Sequence, residues 1–158
     1  MTNIQHDGIS YQINQQNCTA NVHGITNSSD NVLIPQTINY LDQKFIVTSI
    51  SAASFKSNKT IKTITFSDDS ELLSIDNYAF ESSSIEAIII PPKVKKIGIC
   101  AFSNCKNLRT IQFAVNSQLR TIDNNAFESS SIEKVIIPEH VQQIGVSAFK
   151  DCIKLKIV

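Results

Sequence analysis

The apolar positions of this chain repeat in units of two alternating lengths. Each unit opens with an isoleucine, followed four or five residues later by an Ala-Phe dipeptide or, in the first unit, by Ser-Phe. The spacings between units are 25, 22, 25 and 22 residues, so the full period is 47 residues. A repeat of roughly 20 to 30 residues predicts a solenoid, because one unit alone cannot bury its apolar face. The opening isoleucines are Ile50, Ile75, Ile97, Ile122 and Ile144.

Within each unit the pattern predicts one short strand and one short helical turn. Residues 88–90 and 111–113 have apolar side chains at alternate positions, which is the period of a strand. Pro91 is expected to end the strand of its unit, because proline cannot continue a central ladder. The Ser, Asp or Gly after each opening isoleucine is a residue type that begins helices, so the Ala-Phe segment is predicted to be one helical turn. The predicted core is a ladder of Phe55, Phe80, Phe102, Phe127 and Phe149 beside stacked isoleucines.

Residues 97–111 and 144–155 follow the pattern Ile-Gly-x-x-Ala-Phe-x-x-Cys-x-x-Leu, extended in the first case by x-x-Ile. In this pattern the chain resembles the BspA-type leucine-rich repeat, a family of bacterial and protist surface proteins. The resemblance covers roughly residues 47–158 and departs at Ser83 and Ser130, where the family has cysteine. It implies an α/β fold: a right-handed leucine-rich-repeat solenoid of short parallel strands and short helical turns, with an N-terminal β cap.

The two ends of the chain differ from the repeats. Residues 1–49 lack the Ala-Phe dipeptide, alternate like strands at 9–13 and 18–22, and resemble the N-terminal β cap of BspA-type solenoids. Residues 50–158 are predicted to form about five leucine-rich coils, the last one incomplete, in one structural domain with the cap. The chain stops inside a predicted strand at 155–158, which predicts either a fragment of a longer array or a homodimer through the uncapped C-terminal coil.

Composition and charge bear on partners and location. The 14 basic and 14 acidic residues balance, so no bulk field favours nucleic acid. No apolar run approaches the roughly 18 residues of a membrane span, and the first 20 residues lack a signal-peptide pattern. The family resemblance implies a cell-surface or secreted protein, whereas the missing leader pattern is compatible with a cytoplasmic one.

No reactive constellation is visible. His6, His23 and His140 have no serine or cysteine partner at a motif spacing, and a Cys-x-x-Cys pair is absent. Cys105 and Cys152 occupy the same place two coils apart, roughly 10 Å from each other, which is too far for a disulfide. They are interpreted as small buried apolar residues. We therefore predict no catalytic residue, no cofactor site and no metal site.

The outward side chains of the predicted strands form the candidate protein-binding site. One row of them alternates in charge, which indicates either a ladder that fixes stacking register or a rim that orients a polar ligand. Ile89 and Ile136 are apolar at positions predicted to face outward, which fits a protein-contact surface or simply the strand propensity of isoleucine. The candidate residues are Lys62, Thr63, Thr65, Glu86, Ala87, Ile89, Arg109, Thr110, Gln112, Glu133, Lys134 and Ile136.

The sequence thus predicts a non-enzymatic protein-recognition module. The resemblance implies a cell-surface antigen or adhesin that binds a host or matrix protein through the strand face of the solenoid. The alternative is an intracellular leucine-rich-repeat interaction scaffold, which the missing leader pattern favours. The sequence does not identify the partner.

Overall fold

The computed structural model describes residues 1–156. In these residues the chain forms thirteen strands joined by turns, and no helix occurs. The strands are β1 (Thr2–His6), β2 (Ile9–Asn14), β3 (Thr19–Ile25), β4 (Asn31–Ile34), β5 (Thr37–Tyr40), β6 (Gln43–Ile50), β7 (Thr63–Phe66), β8 (Ser74–Ile75), β9 (Ala87–Ile90), β10 (Lys96–Ile97), β11 (Thr110–Phe113), β12 (Thr121–Ile122) and β13 (Gln143–Ile144).

Two ladders of parallel strands run along the molecule. One contains β4, β7, β9 and β11 and continues through a bridge between Thr110 and Lys134. The other contains β6, β8, β10, β12 and β13. Because the chain alternates between the two ladders as it advances, the fold is a β-solenoid of about five turns. We number coils 1 to 5 by their opening residues Ile50, Ile75, Ile97, Ile122 and Ile144.

The segment before coil 1 joins the solenoid in two ways. Strands β1, β2 and β3 pair antiparallel, and β3 then pairs parallel with β6. Strand β4 pairs parallel with β7 in full register, from Asn31 opposite Thr63 to Ile34 opposite Phe66. Residues 31–34 therefore supply the first strand of the repeat ladder, although they lie within the segment predicted as the cap. The division of the chain at residue 49 remains a prediction.

The phenylalanine ladder of the core is confirmed. Ring centroids of consecutive members lie 5.0–5.3 Å apart with interplanar angles of 5–12°. The first four rings are at most 1% exposed, and Phe149 in coil 5 is partly buried. Each ring therefore packs against the next, and stacked aromatic pairs contribute about 0.5–1.5 kcal/mol beyond the area that they bury.

The predicted helical turn is wrong, because the Ala-Phe segment consists of β-turns. In coil 2 the Ala79 amide donates to the Asp76 carbonyl, three residues back, at 3.2 Å. Tyr78 between them has a left-handed φ of 61°. The Phe80 amide instead donates to the carbonyl of Ala101 in the next coil at 2.7 Å. A helix needs each amide to bond four residues back. Here alternate amides bond the neighbouring coil, so the described fold is all-β rather than α/β.

The residue after the opening isoleucine likewise does not begin a helix. At Gly98 a Cβ would lie 2.7 Å from the amide nitrogen of Asn77, so only glycine lets the two coils approach this closely. The approach lets Asn77 Oδ1 accept a hydrogen bond from the Ile99 amide at 2.9 Å. Gly145 stands in the same relation to Asn124, where a Cβ would lie 2.4 Å from the amide nitrogen. The glycines of coils 3 and 5 thus permit a bond between coils.

Candidate functional site

The outward side chains of β4, β7, β9 and β11, with those of the residue just before each of these strands and of residues 133–136, form what we call the strand face. Ten of the twelve predicted residues are exposed there, while Thr63 and Ala87 are half-buried. Ile89 and Ile136 are 57% and 72% exposed, so both project from the face as predicted. Their neighbours Ile88 and Ile90 are at most 2% exposed, as the two-residue period of a strand requires.

Sequence reasoning missed three members of the face because they precede the first recognised unit. Leu33 lies opposite Thr65 in the register of β4 and β7 and is 60% exposed. Asn31 lies opposite Thr63, and Asp30 precedes it at the level of Lys62. The resemblance of residues 32–35 to the strand end Ile-Ile-Pro is the signal that could have found them. Leu33 completes a row that we call the aliphatic row, after its three aliphatic members. The row is Leu33, Thr65, Ile89, Gln112 and Ile136.

The second feature of the strand face is a row of alternating charge, which we call the charged row. Within the described residues, one pair of this row comes within ion-pair distance, Lys62 Nζ and Asp30 Oδ2 at 3.9 Å. The predicted ladder of ion pairs is therefore largely open, and its exposed charges contribute little to folding stability. They remain available to a ligand. The row is Asp30, Lys62, Glu86, Arg109, Glu133 and Lys156.

A groove of about 760 Å³ opens on this face between coils 3 and 4. It forms because the sheet divides there: β9 and β11 pair over four residues, whereas β11 meets the next coil only at the bridge of Thr110 with Lys134. Gln112 and Ile136 of the aliphatic row line it, together with Gln118 and His140, which were not among the binding residues predicted from the sequence. The groove thus combines amide, charged and aliphatic surface.

The equivalent boundary between coils 1 and 2 is bridged by an ion pair. There Lys93 Nζ contacts Glu71 Oε1, and both side chains are partly exposed, at 43% and 34%. At the positions 47 residues later, Gln118 takes the place of Glu71 and His140 takes the place of Lys93. Because the Gln118 amide is neutral, these two side chains cannot form an ion pair. Side-chain chemistry at these two positions therefore distinguishes the boundaries.

The thiols of Cys105 and Cys152 are buried in the core and hydrogen-bonded there. All four cysteines are free in the described part of the chain. Cys105 Sγ donates to the Phe80 carbonyl at 3.0 Å and lies 3.6 Å from Ser83 Oγ. Burial raises the pKa of the Cys105 thiol to about 11, so it stays protonated at neutral pH. Cys152 makes the corresponding contacts with Phe127 and Ser130, at 3.0 and 3.3 Å.

Two features are absent from residues 1–156. No group of three or more His, Cys, Asp or Glu side chains in this region could hold a metal ion. Nor does this region contain a helix of the length and hydropathy that crossing a membrane requires.

The predicted C-terminal strand falls partly outside the described residues, because Ile157 and Val158 are not among them. The homodimer through that end stays a prediction.

Comparison with known proteins places this architecture in a family. The model of the BspA type leucine rich repeat region matches residues 26–156 in six copies. No curated protein matches the chain. Among solved structures, the chain is 33% identical to a leucine-rich repeat protein from Bacteroides ovatus, with a TM-score of 0.82, covering 97% of this chain and 40% of that one.

Two more distant structures share the fold. The pneumococcal vaccine antigen PcpA is 24% identical with a TM-score of 0.71, over 95% of this chain and 47% of that one. A leucine-rich repeat protein from Bacteroides capillosus is 20% identical with a TM-score of 0.57, over 91% of this chain and 88% of that one. The chain spans less than half the length of the first two structures. With six repeat copies matched across most of its length, the chain belongs to the BspA-type leucine-rich-repeat family.

Proposed function

We propose that this chain is a non-enzymatic recognition module, displayed at a cell surface, that binds a host or matrix protein through the strand face. The observation that carries the proposal is the aliphatic row, in which Leu33, Ile89 and Ile136 are 57–72% exposed on one face of the solenoid. Aliphatic side chains aligned on one face are typical of contact surfaces, because covering them removes apolar area from water.

The rigidity of the face supports binding of a large partner. Its backbone is held by parallel pairing on both sides in β7 and β9, so little conformational entropy is lost when a partner docks. The open charges of the charged row flank the aliphatic row and supply the polar rim that protein interfaces have. Surface display rests on membership of the BspA-type family, and an antigen or adhesin role follows from the same family resemblance.

The binding surface is tested with a double variant and a matched control. Ile89→Asp with Ile136→Asp places two charges on the strand face, while Leu73→Asp with Val146→Asp changes aliphatic residues that are 42% and 76% exposed elsewhere. Binding to a panel of purified host and matrix proteins is measured by surface plasmon resonance, with circular dichroism to verify folding. We expect the strand-face variant to lose binding at least tenfold and the control to retain it. Unchanged binding by a folded strand-face variant would contradict the proposed site.

The location is tested separately from the surface. Antibodies raised against the folded chain are applied to intact and to permeabilised cells, and cell fractions are probed in parallel. We expect staining of intact cells. Signal that appears only after permeabilisation would favour the intracellular interaction scaffold instead.

A further inference from the structure

The two ladders of the solenoid end at different levels on the side of coil 1. The chain passes from β3 to β4 and then to β6, so β4 stands at the level of β3 in the opposite ladder. Beyond β3 the ladder of β6 is extended by β2 and β1, whereas no strand of residues 1–156 lies beyond β4 in the other sheet. The sheet that ends with β4 is therefore two strands shorter at this end, and β4 is its edge strand.

The outer side of β4 presents main-chain groups without a strand to pair with. The Ser67 amide of the next coil donates to the Ile34 carbonyl at 3.1 Å, so Ile34 and every second residue before it face β7. The peptide groups of Asn31 and Leu33 therefore point away from β7. The Ser29 hydroxyl donates to the Asn31 carbonyl at 2.6 Å. The N–H and C=O groups of Leu33 have no main-chain partner within residues 1–156.

A cavity of about 270 Å³ adjoins this edge. It lies between β2 and β4, and its apolar wall contains Ile9 and Tyr11 of β2, Ile25, and Val32 and Leu33 of β4. Its volume is below the roughly 300–1,000 Å³ of sites that enclose a small molecule. The cavity therefore suits one apolar side chain of a larger ligand.

One extended segment satisfies the edge and the cavity together. A strand added to β4 would lie about 4.8 Å from it, at the level of β2, with alternate side chains directed toward the cavity. Its main chain would exchange hydrogen bonds with Leu33, as in other ligands that add a strand to a sheet edge. An α-helix bonds its own amides and carbonyls internally and would leave the groups of Leu33 unpaired.

The strand also lacks the features that commonly protect an edge from pairing. Residues 31–34 include neither proline nor a charged side chain, and they pair with β7 in continuous register without a bulge. Lysine, proline and bulges are the usual means by which proteins block such edges. The outer side of β4 is thus available to another chain.

We propose that the edge of β4 binds one extended segment of a protein partner, which pairs with the main chain of Leu33 as an added strand and inserts an apolar side chain into the cavity between β2 and β4. The inference rests on the proposed function in that the ligand is a protein. It adds a contact that is recognised through the main chain, whereas the strand face contributes side chains.

The first test uses the unchanged chain and a capped peptide that copies residues 60–67, because residues 63–66 of that sequence already pair with the opposite edge of β4. Amide hydrogen exchange is followed by nuclear magnetic resonance. Without peptide we expect the Leu33 amide to exchange rapidly and the Val32 and Ile34 amides slowly. Saturating peptide should slow exchange at Leu33 at least tenfold.

Two results of this experiment would overturn the inference. A peptide that binds without slowing exchange at Leu33 occupies another site. Exchange at Leu33 that slows as the concentration of the chain alone is raised would identify a second copy of the chain as the occupant instead.

The second test methylates alternate amides of the peptide. One version is methylated at the positions that copy Ile64 and Phe66, and the other at those that copy Thr63 and Thr65. Because consecutive amides of a strand point to opposite sides, only one set can face β4. In the parallel orientation of this ladder it is the first set, so that version should bind at least tenfold more weakly by isothermal titration calorimetry. Loss confined to the other version would support an antiparallel added strand, and equal effects would overturn the inference.

A pair of variants separates the main chain of Leu33 from its side chain. Leu33→Pro removes the outward N–H, and proline is tolerated where an edge N–H faces solvent. Leu33→Thr keeps the N–H and removes the aliphatic side chain. We expect Leu33→Pro to weaken the peptide at least tenfold and Leu33→Thr to retain it, with circular dichroism to verify folding. Unchanged binding by a folded Leu33→Pro chain would contradict the proposed pairing.

The outcomes distinguish this inference from the proposed function. The variant Ile89→Asp with Ile136→Asp should bind the peptide as the unchanged chain does, because Ile89 lies two strands away from β4. If the peptide tests fail while that variant still loses a protein of the panel, only the added strand is lost. If the peptide tests succeed while that variant keeps every protein of the panel, the strand face is lost as the binding site and the edge of β4 remains.

Discussion

The boundary between coils 1 and 2 and the boundary between coils 3 and 4 are built from residues 47 positions apart, yet their surfaces differ. At the first, Lys93 and Glu71 form an ion pair across the boundary. At the second, His140 and Gln118 occupy those positions and line a groove of about 760 Å³. In both, strand pairing is incomplete, with two paired positions at the first boundary and one bridge at the second. The repeat thus determines where neighbouring strands lose their pairing. The side chains at two positions either form an ion pair across the boundary or line a groove there.

A second comparison concerns position along the solenoid. Ile97 and Ile144 are both isoleucines at the same position of the repeat, but Ile97 is fully buried and Ile144 is 51% exposed. Phe102 and Phe149 differ in the same direction, from full to partial burial. Coil 3 packs against a coil on either side, whereas coil 5 is the last that the structure describes. Burial in a solenoid is thus a property of the stack rather than of one coil.

The largest expected effect contrasts two rungs of the phenylalanine ladder. Phe102→Ala removes a fully buried ring that stacks on both sides, and we expect it to lower the free energy of unfolding by about 3–5 kcal/mol through the cavity that it leaves. Phe149→Ala removes a partly buried ring and should cost about 1–2 kcal/mol. Urea denaturation followed by circular dichroism measures both. Equal losses would show that burial is uniform along the ladder, which would contradict the difference between coils 3 and 5.

An intermediate effect concerns alkaline pH. Because burial raises the pKa of Cys105 from 9.0 to about 11, the thiol ionises in the unfolded chain before it does so in the folded one. Below pH 9 the thiol is protonated in both states, so its ionisation costs the folded state nothing there. Between pH 9 and pH 11 ionisation favours unfolding, so stability should fall by roughly 2 kcal/mol across that window.

The comparison that isolates this effect is Cys105→Ala against the unchanged chain. The alanine chain should lose less stability between pH 9 and pH 11 in urea titrations, whatever its stability at pH 7. The preceding coil has Ser83 at the corresponding position, which does not titrate in this range. Identical pH slopes in the two chains would mean that the thiol gains access to water, which would conflict with its burial.

The smallest expected effect concerns the ion pair that distinguishes the two boundaries. A double-mutant cycle on Glu71 and Lys93 should give a coupling of about 0.2–1 kcal/mol, reduced by salt, because both side chains are partly exposed. Gln118→Glu with His140→Lys transfers the pair to the second boundary, where we expect a coupling of similar size. A coupling at the first boundary without one at the second would indicate that backbone geometry keeps the groove open.

Sequence reasoning succeeded where one residue type recurs at one place in each unit. The phenylalanine ladder and the outward position of Ile89 follow from the 47-residue period and the two-residue period of strands. It failed for the Ala-Phe segment, because the residues compatible with a helix start are equally compatible with a β-turn. What excludes the helix is a bond from the Phe80 amide to Ala101, a partner 21 residues away.

The groove and the first strand of the face lay beyond sequence reasoning for a different reason. Leu33 belongs to a segment without the Ala-Phe dipeptide, so its place in the ladder becomes clear only when β4 pairs with β7. The groove depends on how far two strands diverge after Thr110, and no local residue preference specifies that distance. Gln118 and His140 consequently had no signature as members of a site.

The amino-acid sequence of this chain was sufficient to establish the repeat, its register, the core ladder and the family, because each depends on residue types that recur at a constant period. Stacking of the coils established the rest: the β-turns, the close approach at Gly98 and Gly145, the exposure of Ile144, and the groove. These features depend on bonds and contacts between residues about one coil apart. A residue in one coil is buried, bonded or exposed according to the coil beside it, and that neighbour is supplied only when the chain folds.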